Sequence, residues 1–290
     1  MYYYNYRVAG LQIHCEIPFP LIIRQDFSSF FQREEKCSAD TADINVIFSQ
    51  VPMLPSMQEG GHWEACRYYQ NTLTEDRIYY FSQPKSLPYA CVTYRHDVAD
   101  LVTCQYLPGS EKYMNYAGNL VELAALEKIL LLHNGILLHA SFIRWKQTGI
   151  LFSAPSGTGK STQADLWHLY ENADILNGDR AGLRCPNGSW QAYGLPYAGS
   201  SGIYRNESVP LRAIVILRQA KENRIQRLHG FSSVSFLYPE VSIHRWDRNF
   251  SEKALNLLLQ LIEKIPVYLL ECRPDQEAVL LLKETLLAET

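Results

Sequence analysis

The sequence lacks the cysteine patterns of a metal-binding or disulfide-stabilised protein. Its seven cysteines are scattered along 290 residues, no two of them form a C-x-x-C pair, and no zinc-ligand spacing is present. An odd, dispersed set of this kind is typical of free thiols in a reducing compartment. We therefore expect a cytoplasmic protein without disulfide bonds.

Long apolar runs and an excess of charge are also absent. The most apolar stretch, residues 120–143, is interrupted by charged side chains such as Glu122 and Lys128, so it predicts no membrane span. Residues 1–7 lack the apolar core of a secretory signal. The formal net charge of −3 gives no electrostatic reason to expect a nucleic acid or an anionic membrane as partner. The 47% share of hydrophobic residues predicts a folded chain of one or two domains.

The most informative motif lies at residues 149–162. An apolar segment is followed by a loop of small residues and then by a predicted helix from Ser161 to about residue 170, an order typical of a phosphate-binding P-loop. Glycines let successive backbone N–H groups face one concavity, and the helix directs the positive end of its dipole at the same place. The candidate nucleotide-binding residues are Ala154, Ser156, Gly157, Thr158, Gly159, Lys160, Ser161 and Thr162.

Within this loop, we expect Lys160 to contact the β- and γ-phosphates and Ser161 to ligate Mg²⁺. The consensus is G-x-x-x-x-G-K-S/T, and Ala154 occupies its first position. A small residue still permits close backbone approach, although Ala adopts positive φ less readily than Gly. The alternative is a glycine turn that only joins a strand to a helix, but such a turn requires neither Lys160 nor Ser161.

Two further candidate residues lie on either side of this motif. His139 belongs to a predicted strand, residues 136–145, and a short polar turn leads from it into the P-loop strand, which predicts an antiparallel pair. Asp179 ends the next predicted strand, residues 174–180, beside the P-loop, where a second metal contact is expected. Asp179 and Arg180 could instead form an ion pair in a turn.

The first part of the chain is predicted to be rich in β-structure. Strands are indicated at residues 3–17, 43–48, 63–69, 77–81 and 90–94. The pattern changes near residues 108–110, and apolar residues then recur at helical spacing over 120–130. We interpret residues 1–112 as a β-rich N-terminal domain and residues 113–290 as a nucleotide-binding catalytic domain. The tyrosines of the N-terminal domain could bind a peptide or partner, or serve only as strand residues.

In the rest of the chain, the sequence pattern predicts further strands followed by a largely helical tail. A hairpin follows Asp179, and residues 194–202 form a loop rich in glycine and serine that could close over a substrate or be an ordinary linker. A buried strand is expected at 211–217 and another at 266–270. Helices are expected at 231–237, at 251–264 with Asp247 or Ser251 as its N-cap, and at 276–287.

From about residue 139 onward, the chain resembles the HPr kinase/phosphorylase superfamily. The resemblance rests on LHAS at 138–141, PSGTGKST at 155–162, NGDR at 177–180 and LECRPD at 270–275. It implies an α/β (α+β) fold: a P-loop-containing, phosphoenolpyruvate carboxykinase-like mixed sheet with flanking helices, beside the smaller β-rich domain. In layout, the chain is most similar to stand-alone peptide or serine kinases of peptide natural-product clusters.

The resemblance also implies roles for individual residues. Lys160 would bind the phosphates, Ser161 and Asp179 would hold Mg²⁺, and His139 would line the site near the transferred phosphate, so that Asp179, His139 and Lys160 form the catalytic set. The chain departs from the family at two positions. Gly178 replaces the first of two adjacent aspartates, one of which is taken to act as the base, and Thr162 replaces a glutamate. The assignment of the base therefore stays open.

These features predict a Mg²⁺-dependent kinase that transfers a phosphoryl group from ATP or another nucleoside triphosphate to a serine hydroxyl of a peptide or protein. A small-molecule hydroxyl is the other acceptor considered. The alternative is a catalytically weak nucleotide-binding scaffold or chaperone for a peptide-modification system, because general-base assistance contributes roughly 10²–10⁴-fold and Gly178 cannot supply it. Partners expected are a serine-bearing peptide or protein, peptide-modification enzymes and, from the resemblance, further copies of the chain.

Overall fold

A computed structural model describes residues 1–32, 39–84, 86–197 and 199–288 of the chain. Cys37 and Ala198, which belong to the scattered cysteines and to the predicted glycine/serine loop, lie outside the described residues. The chain divides into two compact units, Met1–Ile129 and Leu130–Thr290.

The first unit is built on a mixed β-sheet. Among the described residues this sheet has nine strands, in the order β3-β1-β2-β4-β9-β8-β7-β6-β5. Strand β4 runs parallel to both of its neighbours, and the other pairs are antiparallel. The strands are β1 (Tyr2–Val8), β2 (Leu11–Ile17), β3 (Phe31–Gln32), β4 (Ile44–Gln50), β5 (His62–Glu64), β6 (Arg67–Asn71), β7 (Glu75–Phe81), β8 (Pro88–Arg95) and β9 (Leu101–Tyr106).

The predicted strand at residues 3–17 is a hairpin. Strands β1 and β2 pair antiparallel, and Ala9 and Gly10 turn the chain between them with φ of 51° and 74°. Two consecutive positive φ values are typical of the two-residue turns that suit the twist of paired strands. The predicted strand at 63–69 divides in the same way into β5 and β6, around Ala65 with φ of 50°.

The predicted helix over residues 120–130 is two helices, α1 (Ala117–Leu123) and α2 (Leu126–Leu132). The break falls at Ala125, whose φ of 43° is incompatible with a continuous right-handed helix. The apolar periodicity continues across the break, which explains why the sequence pattern indicated a single helix.

Helix α1 packs on the sheet of the first unit. The buried hydroxyl of Tyr6 donates to the carbonyl of Ala117 at 3.0 Å, and that of Tyr80 donates to the carbonyl of Leu123 at 2.7 Å. These bonds connect both ends of α1 to strands β1 and β7. Helix α1 therefore belongs to the first unit, Met1–Ile129, and the boundary predicted after residue 112 falls within that unit.

The second unit combines eight described strands with helices that flank them. Its strands are β10 (Gly135–Trp145), β11 (Thr148–Ser153), β12 (Asp174–Asn177), β13 (Arg180–Arg184), β14 (Gln191–Gly194), β15 (Ser208–Gln219), β16 (Arg224–Leu228) and β17 (Val267–Cys272). Its further helices are α3 (Lys160–Glu171), α4 (Phe231–Leu237), α5 (Arg248–Lys264) and α6 (Gln276–Ala288).

Strand β11, which leads into the predicted P-loop, is central in this sheet. It pairs antiparallel with β10, as predicted, and parallel with β15. The sheet continues to β12 on the far side of β10, and to β17 and β16 on the far side of β15. The other halves of the long strands β10 and β15 are joined through β13 and β14. The mixed α/β class predicted from the sequence is confirmed.

Helices cover both faces of this central region. Phe152 of β11 packs in one apolar cluster with Trp167 of α3 and Leu282 of α6. Leu151 points to the opposite face and packs in a second cluster with Leu258 of α5. A strand covered on both faces has apolar residues at consecutive positions, which explains the uniformly apolar sequence before the P-loop. Among the described residues, no helix combines the length and the apolar character required to span a bilayer.

Candidate functional site

The loop after β11 has the geometry of a phosphate cradle. It leaves the sheet at Ser153 and enters α3 at Lys160. Gly157 and Gly159 have φ of +79° and +120°, and a Cβ at either position would meet no described atom within 4 Å. The backbone is therefore in a conformation that other residues rarely adopt, and space is open beside it. A helix begins directly after this space, so its first N–H groups and dipole favour an anion there.

Lys160 folds back over this loop. Its Nζ donates to the carbonyl of Ala154 at 2.8 Å and to that of Pro155 at 3.3 Å, and its side chain is buried. Burial lowers the pKa of Lys160, while the negative charges of Glu240 and Asp179 oppose that shift. The ammonium group thus lies within electrostatic reach of both carboxylates. Ser161 and Thr162 are exposed at the helix start.

Strand β10 brings His139 and Asp179 together. The amide of Ala140 donates to the carbonyl of Asp179 at 3.0 Å, and the Nε2 of His139 lies 3.8 Å from the Oδ1 of Asp179. Ser153, the last residue of β11, donates its Oγ to the carbonyl of His139 at 2.9 Å. Strand β12 pairs with β10 and not with β11, so Asp179 is one strand further from the P-loop strand than the sequence pattern indicated.

Asn177 fixes the turn that carries Asp179. Its Oδ1 accepts the amide of Asp179 at 2.8 Å and that of Arg180 at 3.0 Å. Its Nδ2 donates to the carbonyl of Leu195 at 2.7 Å, and the side chain is fully buried. A buried amide with both ends bonded holds its turn in one conformation. The Asp179 carboxylate is therefore presented from a rigid support.

The glycine/serine loop reaches the same place. A Cβ on Gly199 would lie 2.7 Å from the Cβ of Asp179, so this loop passes directly beside the acid. The ring of Tyr197 lies 5.0 Å from the guanidinium carbon of Arg180. Asp179 and Arg180 also contact each other, with Nε and Oδ2 3.4 Å apart, so the predicted alternative of a turn ion pair is present alongside the other contacts.

Glu240 is a further member of this cluster that the sequence did not indicate. Its Oε2 accepts the Nδ1–H of His139 at 2.9 Å, and its side chain is 11% exposed. Glu240 lies 101 residues after His139, in a turn that follows α4, and no motif marks it. Only the fold brings it to the site.

The donor set fits Mg²⁺ that arrives with a nucleotide. Within the described part of the chain, no group of three or more His, Cys, Asp or Glu side chains is arranged to hold a metal ion by itself. Mg²⁺ at nucleotide sites usually keeps several waters and is bound by one or two carboxylates plus substrate phosphates. A carboxylate at Asp179 and an exposed hydroxyl at Ser161, near an open phosphate cradle, suit that mode of binding.

Two of three comparisons with known proteins return a match to this chain. None of the curated proteins matches the chain significantly. The solved structure of the Hpr(Ser) kinase/phosphatase from Coxiella burnetii is similar to 53% of this chain over 88% of its own length, with 13% identity and a TM-score of 0.28, a likeness that supports no functional conclusion. The family model described as SynChlorMet cassette protein ScmC matches residues 102–275, more than half of the chain. The chain therefore belongs to the SynChlorMet cassette protein ScmC family.

Proposed function

We propose that the second unit is a Mg²⁺-dependent kinase that transfers the γ-phosphoryl group of ATP to a serine hydroxyl of a peptide or protein. The observation that carries the proposal is the convergence of an open glycine loop, a buried lysine, a histidine and an aspartate on one place. A loop that served only as a turn would need none of these three side chains.

Each residue has a task in this reaction. Lys160 exchanges its contacts with the loop carbonyls for phosphate oxygens, which compensate its buried charge better than neutral carbonyls do. The oxygen of the acceptor hydroxyl forms a bond to the γ-phosphorus, the bond from phosphorus to the β–γ bridging oxygen breaks, and ADP leaves. The hydroxyl proton passes to a base, for which the carboxylate of Asp179 and the Nε2 of His139 are the two candidates.

Magnesium would be held by Ser161 and Asp179 together with the phosphates. When bound, it neutralises charge on the phosphate oxygens, which is the main requirement of phosphoryl transfer. Asn177 contributes by holding the backbone on which Asp179 is carried. Gly199 contributes by allowing the loop to pass close to Asp179, since a Cβ there would collide with it.

A peptide or protein is proposed as the phosphoryl acceptor because of the family description and because the glycine/serine loop passes beside Asp179. The family's description as a cassette protein motivates a search for substrates and modifying enzymes among the products encoded beside this chain's gene. A cytoplasmic location is proposed from the free thiols at the described cysteines, which suit a reducing compartment.

Nucleotide binding is tested by replacing the lysine. Lys160→Ala removes charge-assisted hydrogen bonds worth about 1.5–3 kcal/mol, so the Kd for MgATP measured by calorimetry should rise about 10- to 150-fold. Lys221→Ala is the matched control, because Lys221 is an exposed lysine of the same unit, and its Kd should not change. Equal affinities for the two variants would contradict a nucleotide site at this loop.

Transfer is tested with radiolabelled ATP, Mg²⁺ and peptides encoded beside the gene. We expect a labelled serine in at least one peptide, and none with Lys160→Ala. The second candidate, a nucleotide-binding scaffold, is favoured by Gly178, whose position offers no acid. Tight MgATP binding without transfer of label to any peptide would contradict the kinase proposal and support the scaffold.

A further inference from the structure

Glu240 is held beside His139 by the backbone as well as by its side chain. The segment after α4 crosses β10, where Val241 forms a bridge with Leu138 and the amide of Ser242 donates to the carbonyl of Leu137 at 2.9 Å. The register of this crossing puts residue 240 opposite residue 139. The contact between their side chains is therefore built into the fold and does not depend on a surface rotamer.

The contact decides which nitrogen of His139 carries the proton. A carboxylate only accepts hydrogen bonds, so the Nδ1 of His139 is the donor to Glu240. In the neutral ring, Nε2 then carries the lone pair. Nε2 and the Oδ1 of Asp179 are 3.8 Å apart, too far for a hydrogen bond between them. Two hydrogen-bond acceptors, the Nε2 of His139 and the Oδ1 of Asp179, thus lie close together without bonding to each other, an arrangement suited to an incoming hydroxyl donor.

We infer that Glu240 is a positioning residue that fixes the tautomer and orientation of His139, so that Nε2 accepts a hydrogen bond from the acceptor hydroxyl during transfer. This inference rests on the proposed kinase function. It gives the site a second hydroxyl-binding group at a place where Gly178 provides none.

Both backbone groups of Gly178 are hydrogen-bonded within the protein, and glycine has no side chain. Binding of the acceptor hydroxyl at this place therefore depends on side chains of other residues. The amide of Gly178 donates to the carbonyl of Ile203 at 3.2 Å, and its carbonyl accepts the Oγ of Ser141 at 3.2 Å. The chain therefore uses position 178 to join β10 to the following loop. His139 approaches Asp179 from β10, and Glu240 contacts His139 from the turn after α4.

The tautomer is tested directly by nitrogen-15 NMR of the histidine rings, without any substrate. In the unaltered protein we expect His139 to show the Nδ1-protonated tautomer. Glu240→Ala removes the acceptor and should give a mixture of tautomers, while Glu240→Gln retains an oxygen acceptor and should restore the Nδ1-protonated form. Glu252→Ala, which changes an exposed glutamate of the same unit, is the control and should leave the His139 signals unchanged.

Transfer kinetics test the functional consequence. Glu240→Ala should lower kcat about 10-fold or more with a much smaller change in the KM for MgATP, because the main loss is the orientation of the acceptor hydroxyl. Glu240→Gln should recover most of the rate. If neither the unaltered protein nor any variant transferred phosphate, but the NMR signals showed the expected tautomers, the kinase proposal would be refuted. The role of Glu240 in positioning His139 would still stand. A Nδ1-protonated ring in Glu240→Ala, or an unchanged kcat, would overturn the inference.

Discussion

The hydroxyl of Tyr80 is expected to hold helix α1 on the sheet of the first unit. It is buried and donates to the carbonyl of Leu123 at 2.7 Å and to that of Glu122 at 3.2 Å. The carbonyl of Glu122 also accepts the amide of Ala125 at 3.1 Å, so the loss of the Tyr80 hydroxyl affects the carbonyl of Leu123 more strongly. Tyr80→Phe keeps the ring, and therefore leaves little cavity, but deprives a buried carbonyl of its partner.

The expected cost follows from that loss. An unsatisfied buried acceptor costs about 1–3 kcal/mol, which for a unit of this size lowers Tm by roughly 3–10 °C. Tyr94 donates to the carbonyl of Ala124 in the same turn, so Tyr94→Phe should have a similar effect. Because both hydroxyls serve one helix end, the double variant should lose less stability than the sum of the single variants.

Thermal and urea unfolding would measure the loss, and hydrogen exchange of the α1 amides would locate it. Tyr116→Phe is the matched control, since that side chain is 46% exposed and its change should stay within about 0.5 kcal/mol. If Tyr80→Phe were as neutral as the control, or if α1 exchanged no faster, the assignment of α1 to the first unit by these hydrogen bonds would be refuted.

Two further predictions concern packing and thiol chemistry. Gly194→Ala would place a Cβ 2.0 Å from the carbonyl oxygen of Arg205 and should lower the free energy of unfolding by about 3 kcal/mol or more. The control Gly188→Ala, at a residue with φ of +82° and open space around it, should lower it by only about 1–2 kcal/mol. Equal losses of stability for the two variants in urea unfolding would exclude the clash. Burial raises the pKa of Cys91 to about 11, so iodoacetamide at pH 8 should label the half-buried Cys185 before Cys91. Mass spectrometry of the folded protein would measure the labelling, and equal rates at the two thiols would contradict the prediction.

Local signals were sufficient for most strands and helices of the second unit. The P-loop strand, the turn before it and helix α3 follow from apolar runs, polar turns and glycine placement. Asp247, one of the two predicted caps, accepts the amide of Phe250 at 3.0 Å and caps α5. These features depend on neighbours within a few residues, which is the range over which a sequence pattern carries structural information.

The elements that were not predicted lack such local signals. Ala9, Ala65 and Ala125 adopt positive φ, although alanine gives no indication of a turn. Strand β16 carries charged residues such as Arg224 and Arg227, which interrupt the apolar pattern expected of a strand. It lies at the edge of the sheet and pairs only with β17 among the described strands, so charged side chains there are exposed to solvent at little cost.

Glu240 illustrates the same limit at the site itself. The loop, Lys160, His139 and Asp179 could be proposed from the sequence because each belongs to a motif with a known spacing. Glu240 is placed by the bridge between Val241 and Leu138, a long-range pairing between the segment after α4 and β10. The motif-bearing residues match patterns that recur in many phosphate- and metal-binding proteins. Glu240 contacts His139 through a pairing that no local pattern marks, so it had to be found from the contacts of the folded chain.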